Sequence, residues 1–191
     1  MNDDAFMALA LEQARAAGRL GEVPVGAVLV IKGQVIASGH NLRERLKDPC
    51  AHAELRVIQE AAQVLKRWRL TGASLYVTLE PCVMCMGAAL LSRVDRIVYG
   101  AKDPRGGAAG SLFDLSQDPR LNHRIAVRSG VLEQACGALL SDFFQGLRQS
   151  GRKARSPRSG ASEAPLAAQH ALDDLPEVAD VEAALGGLPP E

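Results

Sequence analysis

The chain has 191 residues, of which 47% are hydrophobic and 4% aromatic, so it is long enough for one domain with a core of small aliphatic side chains. Its N-terminus lacks a basic region followed by an apolar run, and no apolar stretch approaches the about 20 residues that cross a bilayer. We therefore expect a cytoplasmic protein without a membrane segment. The net charge is zero, but all 22 Lys and Arg lie in residues 1–159 with 15 of the 22 acidic residues, and this basic part suits a polyanionic partner.

The hydrophobic pattern predicts alternating helices and strands. Apolar residues at helical spacing predict a helix over 4–17, and a continuous apolar run predicts a buried strand over 25–31 that turns at Lys32-Gly33 into a second strand over 34–39. A polar loop over 41–49 leads to a helix over 51–66. The remaining elements are strands over 74–79, 97–101 and 125–129, a helix over 81–91 with Pro81 at its first position, a glycine-rich loop over 103–111, and a helix over 133–149.

This order of elements predicts a three-layer α/β/α domain over residues 1–150, with one mixed five-stranded sheet between helices. The composition then changes: residues 148–158 carry five basic side chains and no acidic one, and residues 160–191 are rich in Ala, Pro and acidic groups. We expect a disordered tail over 151–191, because it cannot bury enough apolar surface to offset its ordering entropy. Its basic start either binds a polyanion or is a solvated linker.

Two short motifs carry the chemistry. His52-Ala53-Glu54 and Pro81-Cys82-Val83-Met84-Cys85 each fall at the start of a predicted helix. Cys82 and Cys85 lie three residues apart, so both sulfurs can face one point on a single helical turn, and a helix N-terminus favours their thiolate forms. His52 would supply a third ligand from a neighbouring helix.

This ligand set predicts one catalytic Zn²⁺ per subunit. Two thiolates and a neutral imidazole give a formally neutral centre with a fourth position open, which marks a catalytic rather than a structural zinc site. Zinc lowers the pKa of a bound water from about 15.7 towards about 7. Glu54, two residues beyond a ligand, is placed to move protons between that water and the substrate. The expected reaction is hydrolytic loss of ammonia from an amine-bearing ring carbon.

Each of these residues also has a simpler interpretation when it is taken alone. The histidine could be a hydrogen-bonded core or surface residue, the glutamate a solvated carboxylate, and the two cysteines a redox pair or half of a structural zinc site. A structural site needs a fourth ligand, and the other candidates fall at no familiar ligand spacing: Cys50, Cys136, His40 and His123. Cys50 lies two residues from His52, so a metal role for it stays open.

Together the two motifs form the known signature of zinc deaminases that act on nucleobases. Beyond them, the chain resembles the bacterial tRNA-specific adenosine deaminases over roughly residues 4–150. The segments that carry this resemblance are 22–28, 48–54, 78–85, 107–111 and 140–144. Asp103 with its glycine-rich loop, the Asn122-His123-Arg124 triplet and the run Ser141-Asp142-Phe143-Phe144 look specific to the enzymes that act on tRNA.

The resemblance implies a cytidine deaminase-like fold, a homodimer, and a tRNA anticodon stem-loop as partner, with the wobble adenosine flipped into the pocket and converted to inosine. Residues expected to bind substrate are then Asn41 at the flipped nucleotide, Val25 and the Ala53 backbone at the base, and Asp103, Phe144 and Arg148 at the anticodon loop. Single-stranded RNA is read by stacking splayed bases on aromatic or Arg planes, which suits the last two. Val25 and Phe144 could instead belong to the core, and Asp103 to a turn.

Two departures limit the resemblance, and two rival functions stay open. Cys50 stands where a small polar residue is expected, and the acidic segment beyond Gly160 has no counterpart in the family. The rival enzyme is a deaminase of a free base or nucleoside, which needs no basic outer surface and whose last helix would close the pocket. The rival from another class is a zinc-stapled RNA-binding module without catalysis.

Overall fold

The computed structural model describes the backbone of residues 2–154 and the side chains of residues 2–149. The described chain forms five helices and five strands. The helices are α1 (Asp3–Arg19), α2 (Arg43–Leu46), α3 (Ala53–Leu65), α4 (Val83–Leu91) and α5 (Glu133–Ala154). The strands are β1 (Gly26–Ile31), β2 (Gln34–His40), β3 (Ala73–Leu79), β4 (Arg96–Ala101) and β5 (Ala126–Arg128).

The strands make one mixed sheet in the order β2-β1-β3-β4-β5. The β1–β2 hairpin and the β1–β3 pair are antiparallel, whereas β3–β4 and β4–β5 are parallel. The parallel β3–β4 pair needs a crossover connection, and α4 supplies it. The expectation of one mixed five-stranded sheet in a cytidine deaminase-like α/β fold is confirmed.

Alternate residues of the central strands divide the core into two layers. On one face, Leu29, Leu75 and Ile97 pack with the apolar sides of α3 and α4. On the other face, Val28 and Val98 pack with α1 and with Cys136 of α5. The period of two along each strand therefore places one helix pair on each side of the sheet, which gives the three expected layers.

Two contacts fix α1 against the sheet. Gly26 of β1 lies so close to α1 that a Cβ there would overlap the helix backbone at Ala10 and Ala14. At the start of the helix, Asp3 accepts hydrogen bonds from the Tyr76 hydroxyl at 2.8 Å and from both terminal nitrogens of Arg96 at 2.9 and 2.7 Å. The hydrogen bonds from Arg96 hold the pKa of the Asp3 carboxyl well below its usual range. This cluster ties the first helix to β3 and β4.

Three local expectations were wrong. Pro81 is not the first helical residue, because Cys82 takes the N-cap position and α4 begins at Val83. The loop predicted over 41–49 contains the short helix α2. The last helix continues to Ala154, five residues beyond its predicted end. The rest of the predicted tail, 155–191, lies outside the described residues, and the domain boundary stays a prediction. Within the described chain, no helix is both long and apolar enough to cross a membrane.

Candidate active site

The three metal-ligand candidates meet where α3 and α4 begin. His52 is the N-cap residue of α3 and Cys82 is the N-cap residue of α4, and neither side chain caps its own helix. Both side chains are therefore available to a ligand. Cys85 lies one turn into α4 and is fully buried. Because helix N-termini carry partial positive charge, the start of α4 stabilises negative charge on the Cys82 sulfur.

The spacing of the three ligand atoms fits a tetrahedral zinc ion. The two sulfurs are 3.6 Å apart, and His52 Nδ1 lies 3.8 Å from Cys82 Sγ and 3.6 Å from Cys85 Sγ. With Zn–S bonds of about 2.3 Å and a Zn–N bond of about 2.0–2.1 Å, tetrahedral angles require edges of about 3.8 Å between sulfurs and about 3.6 Å between sulfur and nitrogen. The side chains therefore already stand at the corners of a zinc coordination shell.

The electrostatics of His52, Cys82 and Cys85 favour the binding of a cation between them. A hydrogen bond from the Cys85 thiol lowers the pKa of Cys82 to about 4, so Cys82 is a thiolate at neutral pH. The pKa of Cys85 is raised, because its proton is held in that hydrogen bond and the sulfur is buried. Hydrogen bonding to Cys82 raises the pKa of His52. A second thiolate at this distance requires a positive charge between the sulfurs, which zinc provides.

Glu54 lies in the first turn of α3 and lines the same pocket as His52 and Cys82. Its side chain is buried, and this burial raises the pKa of the carboxyl above its ordinary range. The pocket is a cleft of about 160 Å³. Because His52, Cys82 and Glu54 line the same cavity, a metal held by this group could also contact a small molecule bound there.

Four of the residues expected to bind substrate line this pocket. They are Val25 just before β1, Asn41 after β2, Ala53 at the start of α3, and Asp103 after β4. The Asn41 amide donates a hydrogen bond of 3.2 Å to Glu22 Oε2. The N–H of Ala53 belongs to the first turn of a helix, where backbone donors lack an intrahelical acceptor. The structure thus brings together residues that are up to 78 positions apart in the chain.

A wider groove of about 650 Å³ adjoins the metal pocket. The two cavities share Val23, Leu79 and Asp103 in their walls. The far wall of the groove is α5, which contributes Phe144 and Arg148. Phe144 is 42% exposed and stacks edge-on with Phe143, so it is not a core residue. Helix α5 therefore borders an open groove beside the pocket.

The alternative fourth ligands are engaged elsewhere or stand apart from the cluster. His40 Nδ1 is bonded to Gln13, and His123 Nε2 to the Val94 carbonyl. Cys136 is buried against the sheet, at the place where β4 has a glycine. Cys50 is exposed. Across residues 2–154, the group that could hold a metal ion consists of His52, Cys82 and Cys85.

Sequence reasoning missed two buried carboxylates beside the pocket, Glu22 and Glu80. Glu22 accepts hydrogen bonds from the backbone N–H of Glu44 at 3.2 Å and of Arg45 at 2.7 Å, and so caps α2 from a distance. Glu80 directly precedes Pro81 and lines the pocket. A carboxylate is usually exposed, so composition and periodicity give no signal for either. The position of Glu80 next to the cysteine motif was the one available clue.

Comparison with known proteins gives the same picture at three levels. The family model for the cytidine and deoxycytidylate deaminase zinc-binding region matches residues 1–101. A tRNA-specific adenosine deaminase of Bacillus subtilis is 54% identical over 153 residues, which cover 80% of this chain and 95% of that protein. Two solved structures are also similar. One comes from a study of A-to-I editing by tRNA:A34 deaminases, with a TM-score of 0.68 and 49% identity over 71% of this chain and 99% of that one. The other is a guanine deaminase of Nitrosomonas europaea, with a TM-score of 0.61 and 30% identity over 73% of this chain and 83% of that one.

Substituting one ligand tests the metal centre. We expect Cys82→Ala to lower the zinc content from about one ion per chain to a small fraction and to lower the melting temperature, because two remaining ligands bind zinc too weakly and metal binding contributes to folding. Zinc is measured by mass spectrometry of the purified protein and melting by calorimetry. The matched control is Cys50→Ala, which should leave both quantities unchanged. Full zinc content in Cys82→Ala would contradict this ligand set.

Proposed function

Since the chain belongs to the tRNA-specific adenosine deaminases within the zinc-binding deaminase family, we propose that it hydrolyses the wobble adenosine of a tRNA anticodon to inosine. The observation that carries the proposal is the adjacency of two cavities. A small pocket at the metal ligands shares part of its wall with a groove bordered by α5. A single base fits the first, and the neighbouring nucleotides of a loop fit the second.

In this reaction His52, Cys82 and Cys85 hold the zinc ion, which when bound supplies a water of lowered pKa as the nucleophile. Glu54 accepts the proton that the water loses and donates it to the ring nitrogen next to the attacked carbon. Glu54 then takes the second proton from the hydroxyl now on the attacked carbon and donates it to the departing amine, so that the C–N bond breaks, ammonia leaves and the carbonyl of inosine forms. Its burial keeps bulk water away from these transfers.

The remaining pocket residues orient the base. Val25 contributes an apolar wall, and Asn41 and the backbone of Ala53 contribute polar groups at the two sides of the cavity. The Asn41 amide is held in place by its hydrogen bond to Glu22, so it is ordered before the substrate binds. A preordered pocket suits the recognition of a nucleotide that must first be flipped out of its stack.

The groove residues meet the rest of the anticodon loop. Phe144 offers an exposed aromatic face for a splayed base, and Arg148 on the next turn of α5 offers a planar cation for a base or a phosphate. Asp103 lies at the junction of the two cavities, where it contacts the nucleotide next to the flipped one.

The proposed substrate, tRNA, is found in the cytoplasm. The reducing environment there keeps Cys82 and Cys85 as thiols or metal ligands.

A deaminase of a free base is the main competing function, and one neighbour of known structure is a guanine deaminase. Two observations favour tRNA. The relative with the higher identity acts on tRNA, and α5 borders an open groove with an exposed aromatic residue instead of closing the pocket. An enzyme for a free base gains nothing from such a groove.

The test compares substrates at equal concentration. We expect the full-length protein to form inosine in an anticodon stem-loop with adenosine at the wobble position, and to leave free adenosine, guanine and cytidine almost untouched. Glu54→Ala should retain zinc and lose turnover by about 10²–10⁴-fold, because proton transfer is lost. Inosine is detected by nucleoside mass spectrometry after digestion. Deamination of a free base without activity on the stem-loop would overturn the proposed function.

We also propose that the enzyme is a homodimer that pairs through the outer face of α4. This face presents Val83, Gly87 and Leu91 at successive positions four residues apart, and the two larger side chains are 49% and 74% exposed. Among the described residues, no atom outside the local helix lies within 4 Å of the place where a Cβ of Gly87 would be, so the face is open at this point. An apolar, open helix face suits a second copy of itself across a twofold axis.

Sedimentation equilibrium tests the assembly. We expect the wild type to have twice the 20.3 kDa mass of one chain. Leu91→Asp should shift the protein towards the monomer, because it places a charge in the apolar interface. The control is Leu20→Asp, which changes an exposed leucine at the end of α1 instead. A monomeric wild type, or a Leu91→Asp variant that dimerises as the wild type does, would refute this interface.

A further inference from the structure

Glu80 is a buried carboxylate, 2% exposed, whose hydrogen-bond donors all come from one loop. We call residues 103–111, which follow β4, the glycine loop. Its backbone N–H groups at Asp103, Ala109 and Ser111 donate to Glu80 at 3.0, 3.1 and 2.9 Å, and the Ser111 hydroxyl donates to it as well. Three backbone amides and a hydroxyl of the same segment thus converge on one side chain.

The charge on Glu80 and the shape of the glycine loop depend on each other. A carboxylate that leaves water is unfavourable unless several donors replace its hydration, and here the donors are N–H and O–H groups of the loop. In turn, three loop amides would lack these acceptors without Glu80. Because the carboxylate accepts hydrogen bonds from these three amides, they need no acceptor in a helix or strand.

A second set of contacts fastens the same loop to the metal-binding turn. Ala108 N donates to the Pro81 carbonyl at 2.8 Å, and Gly107 forms a bridge with Cys82. Gly107 is required at its position, since a Cβ there would lie 2.5 Å from Glu80 Oε2 and 2.6 Å from the Asp103 carbonyl oxygen. The loop, Glu80 and the turn that carries a zinc ligand therefore form one packed unit.

This unit determines where Asp103 stands. Asp103 is the first residue of the loop that Glu80 holds, and it lies in the wall between the metal pocket and the groove. Glu80 immediately precedes Pro81, which adjoins the zinc ligand Cys82. The loop that Glu80 holds therefore lies at a short, fixed distance from the metal centre.

We propose that Glu80 is a positioning residue for the substrate: it sets the glycine loop against the metal centre so that Asp103 meets the RNA while the base occupies the pocket. This rests on the proposed function. Glu80 acts on the substrate through the loop, whereas other residues act directly on the atoms that react. Its substitution should therefore affect the binding of a structured RNA more than the chemical step.

The test uses Glu80→Gln in the full-length protein. The shape is kept, but the charge is lost and the Gln NH₂ group faces backbone donors. We expect this variant to keep the zinc content of the wild type. Its kcat/KM for the anticodon stem-loop should fall by on the order of 100-fold, and most of that loss should come from a higher KM. Hydrogen exchange should quicken at the amides of residues 103, 109 and 111 and stay unchanged in α3. Glu12→Gln, on the exposed side of α1, is the matched control.

Two further variants keep the test decisive if Glu80→Gln folds poorly. Ser111→Ala removes one donor and should raise KM by a smaller factor. Gly107→Ala crowds the same carboxylate and should reproduce the rise in KM, with less than additive effects when it is combined with Glu80→Gln. Gly137→Ala is its control, because no described atom outside the local helix lies within 4 Å of the Cβ position there.

The proposal is overturned if zinc-loaded Glu80→Gln has the wild-type KM and the wild-type exchange at the loop amides, or if kcat falls while KM is unchanged. Failure of the proposed function gives a different result, namely a wild type without activity on the stem-loop. In that case the exchange of the loop amides still decides whether Glu80 holds the loop.

Discussion

The site depends on the convergence of two helix N-termini on one point. His52 and Cys82 are N-cap residues whose side chains do not cap their helices, and Cys85 lies three residues after Cys82, so that three ligand atoms stand at three corners of a tetrahedron. His52 and Cys82 line a pocket together with Glu54. A zinc ion held by the three ligands would have one coordination position left, and the activation of water requires that a small molecule takes this position.

Around this centre, two buried carboxylates hold the walls of the pocket. Glu22 accepts from Asn41 and from the start of α2, and Glu80 accepts from the glycine loop. Glu22 satisfies amides in the first turn of α2, which have no acceptor within the helix, and Glu80 satisfies amides of the irregular glycine loop. Loops that carry binding residues can thus be rigid, which keeps the pocket in shape before the substrate arrives.

The sequence was most informative where chemistry imposes a spacing. Cys82 and Cys85 must share one helical turn, and the pattern of His52 with Glu54 limits the other ligand and the proton carrier to one segment. The layers of the fold followed from periodicity. The roles of Glu22 and Glu80 could not be predicted, because the burial of a carboxylate depends on donors 19 to 31 positions away. The start of α4 was misplaced by two residues, at Pro81 instead of Val83, because a metal ligand occupies the N-cap.

We infer that zinc is held by three side chains and is accessible on its fourth side. X-ray absorption at the zinc edge of the purified full-length protein measures this directly. This arrangement predicts about one zinc per chain with two sulfur neighbours at about 2.3 Å and two lighter N or O neighbours at about 2.0–2.2 Å, one of which is exchanged when a small anion that binds zinc is added. A third sulfur, a shell that no added ligand alters, or a protein without zinc would contradict it.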